Sequence, residues 1–325
     1  MPGWNLNQNE LVTIHKRKFI RLFLQPSRVQ EYTHHPVLGR LECWRGRVEP
    51  GFRANFLGVL TRNYMAFLES GSGVPDDCPP QYVTTELPKF DEEYFQWIDL
   101  LESVASAQEN FSMIELGAGY GRWLVNAVHA LRQMNRSKFK LVGVEAEPTH
   151  FNWMQQHFLE NGIDRGSYQL IEAAVGAEDG RASFITGNPS HWYGQSTWPP
   201  ETRTVMPLRL KWTFAWLRGR IKTVRMVSMN TLLQSTDVVD LIDLDVQGSE
   251  LKVLTSATHA VDLKVRRIHI GTHTAEVESG LRTLFQRLGW ENKFDFPTGS
   301  LSPTRWGNIS FQDGVQSWIN PHITY

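Results

Sequence analysis

Three glycines at alternate positions, Gly117, Gly119 and Gly121, stand between an apolar run ending in Glu115 and Leu116 and the start of a helical pattern. Glycine has no Cβ and tolerates φ > 0, so such a turn lets bare backbone approach a ligand. About 24 residues after Gly121 a second apolar run, 139–145, ends in Glu145. An acid at that distance is placed to accept both hydroxyls of a ribose. The glycine spacing is G-x-G-x-G, and Arg122 fills the place of the third glycine in the dinucleotide fingerprint G-x-G-x-x-G. Glu115 also argues against phosphate, because a carboxylate repels an anion and attracts an ammonium group. S-adenosyl-L-methionine has an α-amino group, a ribose diol and no phosphate, so the pattern points to a methyltransferase-type site. The alternative is a glycine turn that only packs a helix on a sheet, with both glutamates solvated.

In that reading the backbone of Gly117, Ala118, Gly119, Tyr120 and Gly121 cradles the methionine part and Glu115 faces its ammonium. Glu145, with Ala146 beside it, takes the ribose. Glu172, Ala173 and Ala174 lie where the adenine edge would be. Methyl transfer to a hydroxyl also needs a base. The segment 239-VDLIDLDVQGSELKVL-254 carries Asp243 and Asp245 two residues apart on a strand, hence on one face. Asp243 is counted with the cofactor-binding residues. Asp245 is expected to share the base role with His273, whose imidazole titrates near neutral pH, and His191 is a rival. The plainer roles for these residues are turn capping by the aspartates and a hydrogen-bonded edge position for His273. A magnesium ion at Asp245 is conceivable, but no full ligand set is visible, so no metal site is expected.

These residues need a frame of alternating elements. Strands are predicted at 111–116, 139–145, 168–175, 181–186, 221–227, 239–245, 265–270, 290–296 and 306–312. Helices are predicted at 89–108, 120–133, 149–160, 248–256 and 275–288. Alternation of this kind gives an α/β, doubly wound, mainly parallel sheet covered on both faces. Ligands then bind at the carboxyl ends of the strands. Residues 1–88 show no such alternation and are read as an N-terminal helical extension, a lid or oligomer contact, with a basic amphipathic helix over 10–24 and a loop at 70–80. Residues 89–325 form the main domain, with an insertion at 187–225. The insertion holds Trp192, Tyr193, Trp198 and seven basic residues without an acid over 202–225. It is read as a lid or acceptor-binding element, or as a homodimer contact with the basic residues solvated.

Composition narrows the classes. The chain has 325 residues and a net charge of −1, so no global field calls for nucleic acid or a membrane surface. Two cysteines, Cys43 and Cys78, make neither a disulfide framework nor a zinc site, in keeping with a reducing, cytoplasmic location. No apolar stretch is long enough for a membrane span, and no signal-peptide pattern is visible.

Several segments, in order, make the chain resemble the FkbM-type methyltransferases. These are 114-IELGAGYGRW-123, 142-VGVEAEPTHFNWM-154, 172-EAAVGAEDGRASF-184, 228-SMNTLL-233 and 241-LIDLDVQGSELKVL-254. The resemblance covers roughly residues 110–290. It implies the seven-stranded Rossmann-like class I methyltransferase fold and methyl transfer from S-adenosylmethionine to a hydroxyl of a small molecule such as a sugar, a polyketide or another natural product. The chain departs from the family pattern at Gln247 (usually glutamate), Asn230 (usually aspartate), Gly119 (usually asparagine) and Gly271 (glutamate in a glutamate-x-histidine strand end that here keeps His273). A nucleic-acid methyltransferase and a non-catalytic partner protein with the same fold remain the competing expectations. Nucleic acid is disfavoured because 245-DVQGSE-250 lacks the proline and aromatic turn of exocyclic-amine methylation.

Overall fold

Seven strands form the central sheet of the computed structural model, which describes residues 33–65, 72–186, 197–198, 221–234 and 236–324. They are β1 (Phe111–Leu116), β2 (Phe139–Glu145), β3 (Tyr168–Glu172), β4 (Leu241–Leu244), β5 (Arg267–Thr272), β6 (Glu291–Phe296) and β7 (Gly314–Ile319). Their order across the sheet is β6-β7-β5-β4-β1-β2-β3. β5, β4, β1, β2 and β3 run parallel, and β7 is antiparallel to both of its neighbours. The chain builds outward from β1 to β3, then returns to the other side of β1 with β4. Strand order therefore reverses between β1 and β4, and a crevice opens there at the strands' carboxyl ends. All of the described elements from His34 onward belong to one compact unit.

The helices are α1 (Tyr94–Ser106), α2 (Arg122–Gln133), α3 (Pro148–Glu160), α4 (Met229–Gln234), α5 (Glu250–Ser256), α6 (Thr258–Lys264) and α7 (Ala275–Arg287). Strand alternation gives the two sheet faces different characters. Ile114, Leu116, Ile242, Leu244, Ile268 and Ile270 face a continuous apolar core with Leu233, Val253, Leu254, Val261, Leu281 and Phe285 from α4–α7. Each such side chain, fully buried, contributes roughly 1.5–3 kcal/mol. The residues between them, Glu115, Asp243 and His269, share the opposite face and pair in register across β1, β4 and β5. Helix α1 covers that side.

Three expectations about elements are corrected. The predicted 168–175 strand breaks at Ala173. Its second half, Ala174–Gly176, joins Gly180–Ile185, Ile221–Ser228 and Thr197–Trp198 in a separate four-stranded sheet. The predicted 306–312 strand instead pairs as a hairpin, Ser300–Thr304 with Gly307–Phe311. The central place goes to β7, whose mixed residues Gln316 and Ser317 hide a fully buried strand. The extension expected to be helical carries short β-strands and loops in its described part, with one 3-10 turn at Pro36–Arg40. Arg45–Val48 pairs with Gln81–Thr84, and Phe52–Ala54 pairs with Leu60–Arg62 and Ser72–Gly73. Its short runs between glycines and prolines suit strands, and the helical period of 10–24 does not continue into them. Residues 10–24 and most of 187–225, including His191, Trp192 and Tyr193, lie outside the described residues.

Candidate active site

The glycine turn is built by backbone. The N–H groups of Gly117 and Ala118 both donate to the Val144 carbonyl at 3.0 Å, which ties the turn to the end of β2. Gly117 has φ +76°, and a Cβ there would lie 1.8 Å from the Asp245 carbonyl oxygen. Only glycine fits where the β1 and β4 ends come this close. The Gly119 N–H donates to Glu145 Oε2 at 2.7 Å, and the Glu147 N–H donates to Oε1 at 2.7 Å. Glu145 thus stands under the loop. Burial pushes its pKa up to about 7 against the pull of those N–H groups.

Behind the turn, Glu115 accepts from the Leu124 N–H at 3.1 Å and more weakly from Trp123 at 3.4 Å, capping the start of α2. Burial and the neighbouring Asp243 charge raise its pKa well above the usual carboxylate range. Asp243 accepts both of its hydrogen bonds from the Gln96 amide, at 2.7 and 2.9 Å. Burial raises its pKa to about 6, with the His269 charge opposing. Next along the row, His269 Nδ1 lies 2.8 Å from Asp99 Oδ2, and Arg267 donates to Asp99 Oδ1 at 3.0 Å. Asp99 is fully buried, yet its pKa is lowered, because His269, Arg267 and Lys293 outweigh desolvation.

A cavity of about 340 Å³ spans this edge. One end is apolar, with Val144, Ala146, Ala173, Ala174, Val175 and Phe184. The other carries Asp245, Gln247, Gly271 and Asp313. Seven carboxylates line the whole: Glu92, Glu93, Glu115, Glu145, Asp243, Asp245 and Asp313. Among the described lining residues the one arginine or lysine is Arg122. It is forked onto Glu93 at 2.6 and 2.8 Å, so its charge is already spent. The field inside is that of a site for a cation.

The acceptor-end residues cluster as the sequence suggested, but in different states. The Asp245 side chain is 49% exposed, while that of His273 is 15% exposed. His273 Nδ1 lies 3.2 Å from Glu250 Oε1, and its Nε2 is 3.4 Å from Asp245 Oδ1 and 3.9 Å from Asp313 Oδ1. Desolvation opposes charging this ring, but Glu250, Asp245 and Asp313 outweigh it and raise its pKa to about 9. The expectation of a ring titrating near neutral pH is therefore corrected. Held among three carboxylates, His273 carries its proton at pH 7 and has no lone pair to offer as a base.

Of the expected cofactor residues, Glu115, Gly117, Ala118, Gly119, Tyr120, Glu145, Ala146, Ala173, Ala174 and Asp243 line the cavity. Gly121 is behind it as the N-cap of α2, packed on Met154 and Phe158. Glu172 ends β3 but is exposed and does not line the cavity. Sequence reading missed Gln96, Asp99, His269, Asp313 and Phe184. Asp99 could have been flagged as an acid on the apolar face of an amphipathic helix, and His269 as a polar residue inside the run 268-IHI-270.

A glycine turn with an acid on either side, at the switch point of a mainly parallel sheet and under a cavity rich in carboxylates, defines a methyltransferase. The model of the methyltransferase FkbM domain matches residues 115–292, more than half of the chain, and the chain belongs to this family. It is 27% identical over 261 residues to a "Putative methyltransferase" of Jannaschia sp. (strain CCS1), a match spanning 79% of this chain and 88% of the relative. Among solved structures, the methyltransferase FkbM from Methylobacillus flagellatus KT matches at 13% identity with a TM-score of 0.40. That match covers 65% of this chain and 44% of the other, so the chain spans less than half of that protein. M. capricolum TrmK, in complex with S-adenosyl-homocysteine, matches at 9% identity and a TM-score of 0.35, over 70% of this chain and 68% of the other.

Proposed function

We propose that the protein transfers the methyl group of S-adenosylmethionine to a hydroxyl of a small molecule. The observation that carries this reading is the cavity's lining: six acidic residues besides the Arg122–Glu93 pair, with no other arginine or lysine among the described lining residues, under bare backbone at Gly117 and Gly119. A cationic, phosphate-free adenosyl compound suits that lining, and a pyrophosphate does not. Its adenine would lie among Ala146, Ala173, Ala174 and Phe184, its ribose on Glu145, and its ammonium toward Glu115 and Asp243. An arriving ammonium favours the ionised forms of those buried acids.

Bound in this way, the cofactor would supply its electrophilic methyl group to the end lined by Asp245, Gln247 and Asp313. Methyl transfer requires oxygen, methyl and sulfur in line. As the O–CH3 bond forms, the S–CH3 bond breaks and its electron pair stays on sulfur. The hydroxyl proton must leave to a base. Asp245, with His273 holding it, receives the acceptor's hydrogen bond. That carboxylate, held by Gln247 and His273, takes the hydroxyl proton as the new bond forms. Gly271, two residues beyond His269 on the same strand, leaves room for the Asp245 side chain, whose Cγ lies 3.4 Å from where a Cβ would stand. His191 lies outside the described residues and stays a rival base.

Calorimetry tests the first half. S-adenosylmethionine should bind one per chain, and NAD should not bind. An absence of binding would sink the reading. A panel of sugar and polyketide hydroxyl compounds tests the second half, read as S-adenosylhomocysteine release. Tight cofactor binding with no turnover on any acceptor would favour a non-catalytic partner role, which the altered signature at Gln247 and Gly271 motivates. Turnover confined to RNA or DNA would favour a nucleic-acid methyltransferase.

A further inference from the structure

We propose that His157, anchored by Thr61 of the N-terminal extension, is a positioning residue that holds the cofactor loop in its binding shape. His157 lies in the last turn of α3 and is fully buried. Its Nδ1 is 3.1 Å from the Tyr120 carbonyl oxygen, and its Nε2 is 3.2 Å from Thr61 Oγ1. A carbonyl only accepts, so Nδ1 carries the proton and Nε2 accepts from the Thr61 hydroxyl. One tautomer satisfies both ends. Burial, reinforced by His129 and Arg122, pushes the ring's pKa down to about 3, so the ring stays neutral and keeps that pattern.

The loop needs support at this point. Tyr120 stands between two positive-φ glycines, Gly119 and Gly121, and glycine loses the most conformational freedom on ordering. The bonds from Gly117 and Ala118 to Val144, and from Gly119 to Glu145, tie the loop to the end of β2. His157 holds it from the α3 side. It takes the Tyr120 carbonyl, and its ring meets the Tyr120 ring edge to face at 5.1 Å. Tyr120 lines the cavity, so one histidine places both the backbone and the ring of a cavity residue.

The anchor is itself pinned. Leu60 exchanges two hydrogen bonds with the Asn161 side chain, at 3.0 and 2.8 Å, and Arg62 donates twice to Glu160 Oε1, at 2.9 and 2.7 Å. Thr61 lies between them and is buried. Four residues on, Met65 is fully buried and lines the cavity. The extension thus reaches the cavity twice, through the chain Thr61–His157–Tyr120 and through Met65. A histidine that only filled the core would need no hydroxyl on its second nitrogen. The effect on cofactor affinity rests on the methyl-transfer reading; the clamp itself does not.

The test uses the full chain and three variants. An asparagine amide reaches the place of Nδ1, and a glutamine amide that of Nε2. His157→Asn therefore keeps the bond to Tyr120 and loses that to Thr61, as Thr61→Val does. His157→Gln keeps Thr61 and loses Tyr120. In the cofactor-free chain, amide hydrogen exchange at Gly119 and Gly121 should quicken about 30-fold in His157→Gln and about threefold in the other two. S-adenosylmethionine affinity by calorimetry should fall in the same order. A core role alone predicts equal effects for the two histidine variants, so equal exchange in them would overturn the clamp. Exchange in Thr61→Val matching the parent would overturn the extension's part. Where melting curves show that the variants do not fold, the ring-nitrogen chemical shifts of parent His157 decide, since a proton on Nε2 is incompatible with the clamp. The expected exchange in a chain that does not bind S-adenosylmethionine would sink the methyl-transfer reading and leave the clamp standing.

Discussion

The two ends of the cavity are made from different material. The adenosyl end is backbone and short contiguous motifs: the glycine turn after β1, Glu145 at the end of β2, and the Ala173–Ala174 step after β3. The acceptor end and the floor beneath it are side chains gathered from distant segments. Gln96 and Asp99 come from α1, Asp243 and Asp245 from β4 and its end, His269 and His273 from β5 and the turn after it, and Asp313 from the turn before β7. A motif fixes the first end because neighbouring residues share one turn. The second exists only once the sheet has closed. Damage should therefore differ: at the adenosyl end it should cost ligand binding, and at the floor it should cost the fold.

The largest expected effect is at the floor. Asp99→Ala removes the carboxylate shared by His269, Arg267 and Lys293. Arg267 and Lys293 keep Glu102, but Asp99 is the fully buried acid of the network and the one His269 holds. Removing one partner of a buried ion pair costs about 3–5 kcal/mol. Chemical denaturation should show that loss, and a change below about 1 kcal/mol would mean that the network is ornamental. Gly117→Ala comes next, because it strikes both ends at once. Its Cβ collides with the Asp245 carbonyl in a positive-φ backbone. Strain and overpacking together should cost about 3 kcal/mol and abolish cofactor binding. An unaltered melting curve with intact binding would break the account of why the β1 and β4 ends meet on glycine.

The same contrast explains what could be read from the sequence. The turn at 117–121, the acids Glu115 and Glu145, the five parallel strands and the paired Asp243 and Asp245 were visible because period and spacing act locally. β7 was not. Its run 314-GVQSWI-319 contains Gln316 and Ser317, and nothing local shows that both are buried, with the Gln316 amide donating to the Glu278 carbonyl of α7. Nor could the His269–Asp99 pair be read, since its partners are 170 residues apart. The state of His273 was misjudged for the same reason. Glu250 is near it in space but 23 residues away in the chain. The extension before 88 reads as helical from its basic amphipathic start at 10–24, which lies outside the described residues; in the described part the strands Arg45–Val48 and Gln81–Thr84 are only four residues each, too short to give a period.

At the adenosyl end, Glu145→Gln should leave the fold in place. An amide can still accept from Gly119 or Glu147, but it offers the ribose one weak acceptor in place of a charged one. Losing a charge-assisted hydrogen bond costs about 1.5–3 kcal/mol, so S-adenosylmethionine should bind roughly 10–100-fold more weakly. A variant that binds as tightly as the parent would place the ribose elsewhere.

The smallest effect, about tenfold, is one of pH, and its sign follows from Glu145 alone. The group's pKa in the folded, cofactor-free chain is about 7, against 4.5 for an ordinary glutamate. The fold thus favours the protonated form. That contribution to stability is complete below about pH 4.5 and is lost as pH rises toward 7. Ribose hydroxyls donate to the ionised form, so cofactor affinity should move the other way, rising about tenfold between pH 6 and 8 before it levels. Asp243 and Glu115 also titrate, so the measurement is the difference between parent and Glu145→Gln, by calorimetry for affinity and by denaturation for stability. If the two chains show the same pH profiles, Glu145 is not the titrating group and the buried acids behind it govern the cavity. Opposite slopes in the parent, both flattened by the substitution, would tie the glycine turn and the ribose to one carboxylate.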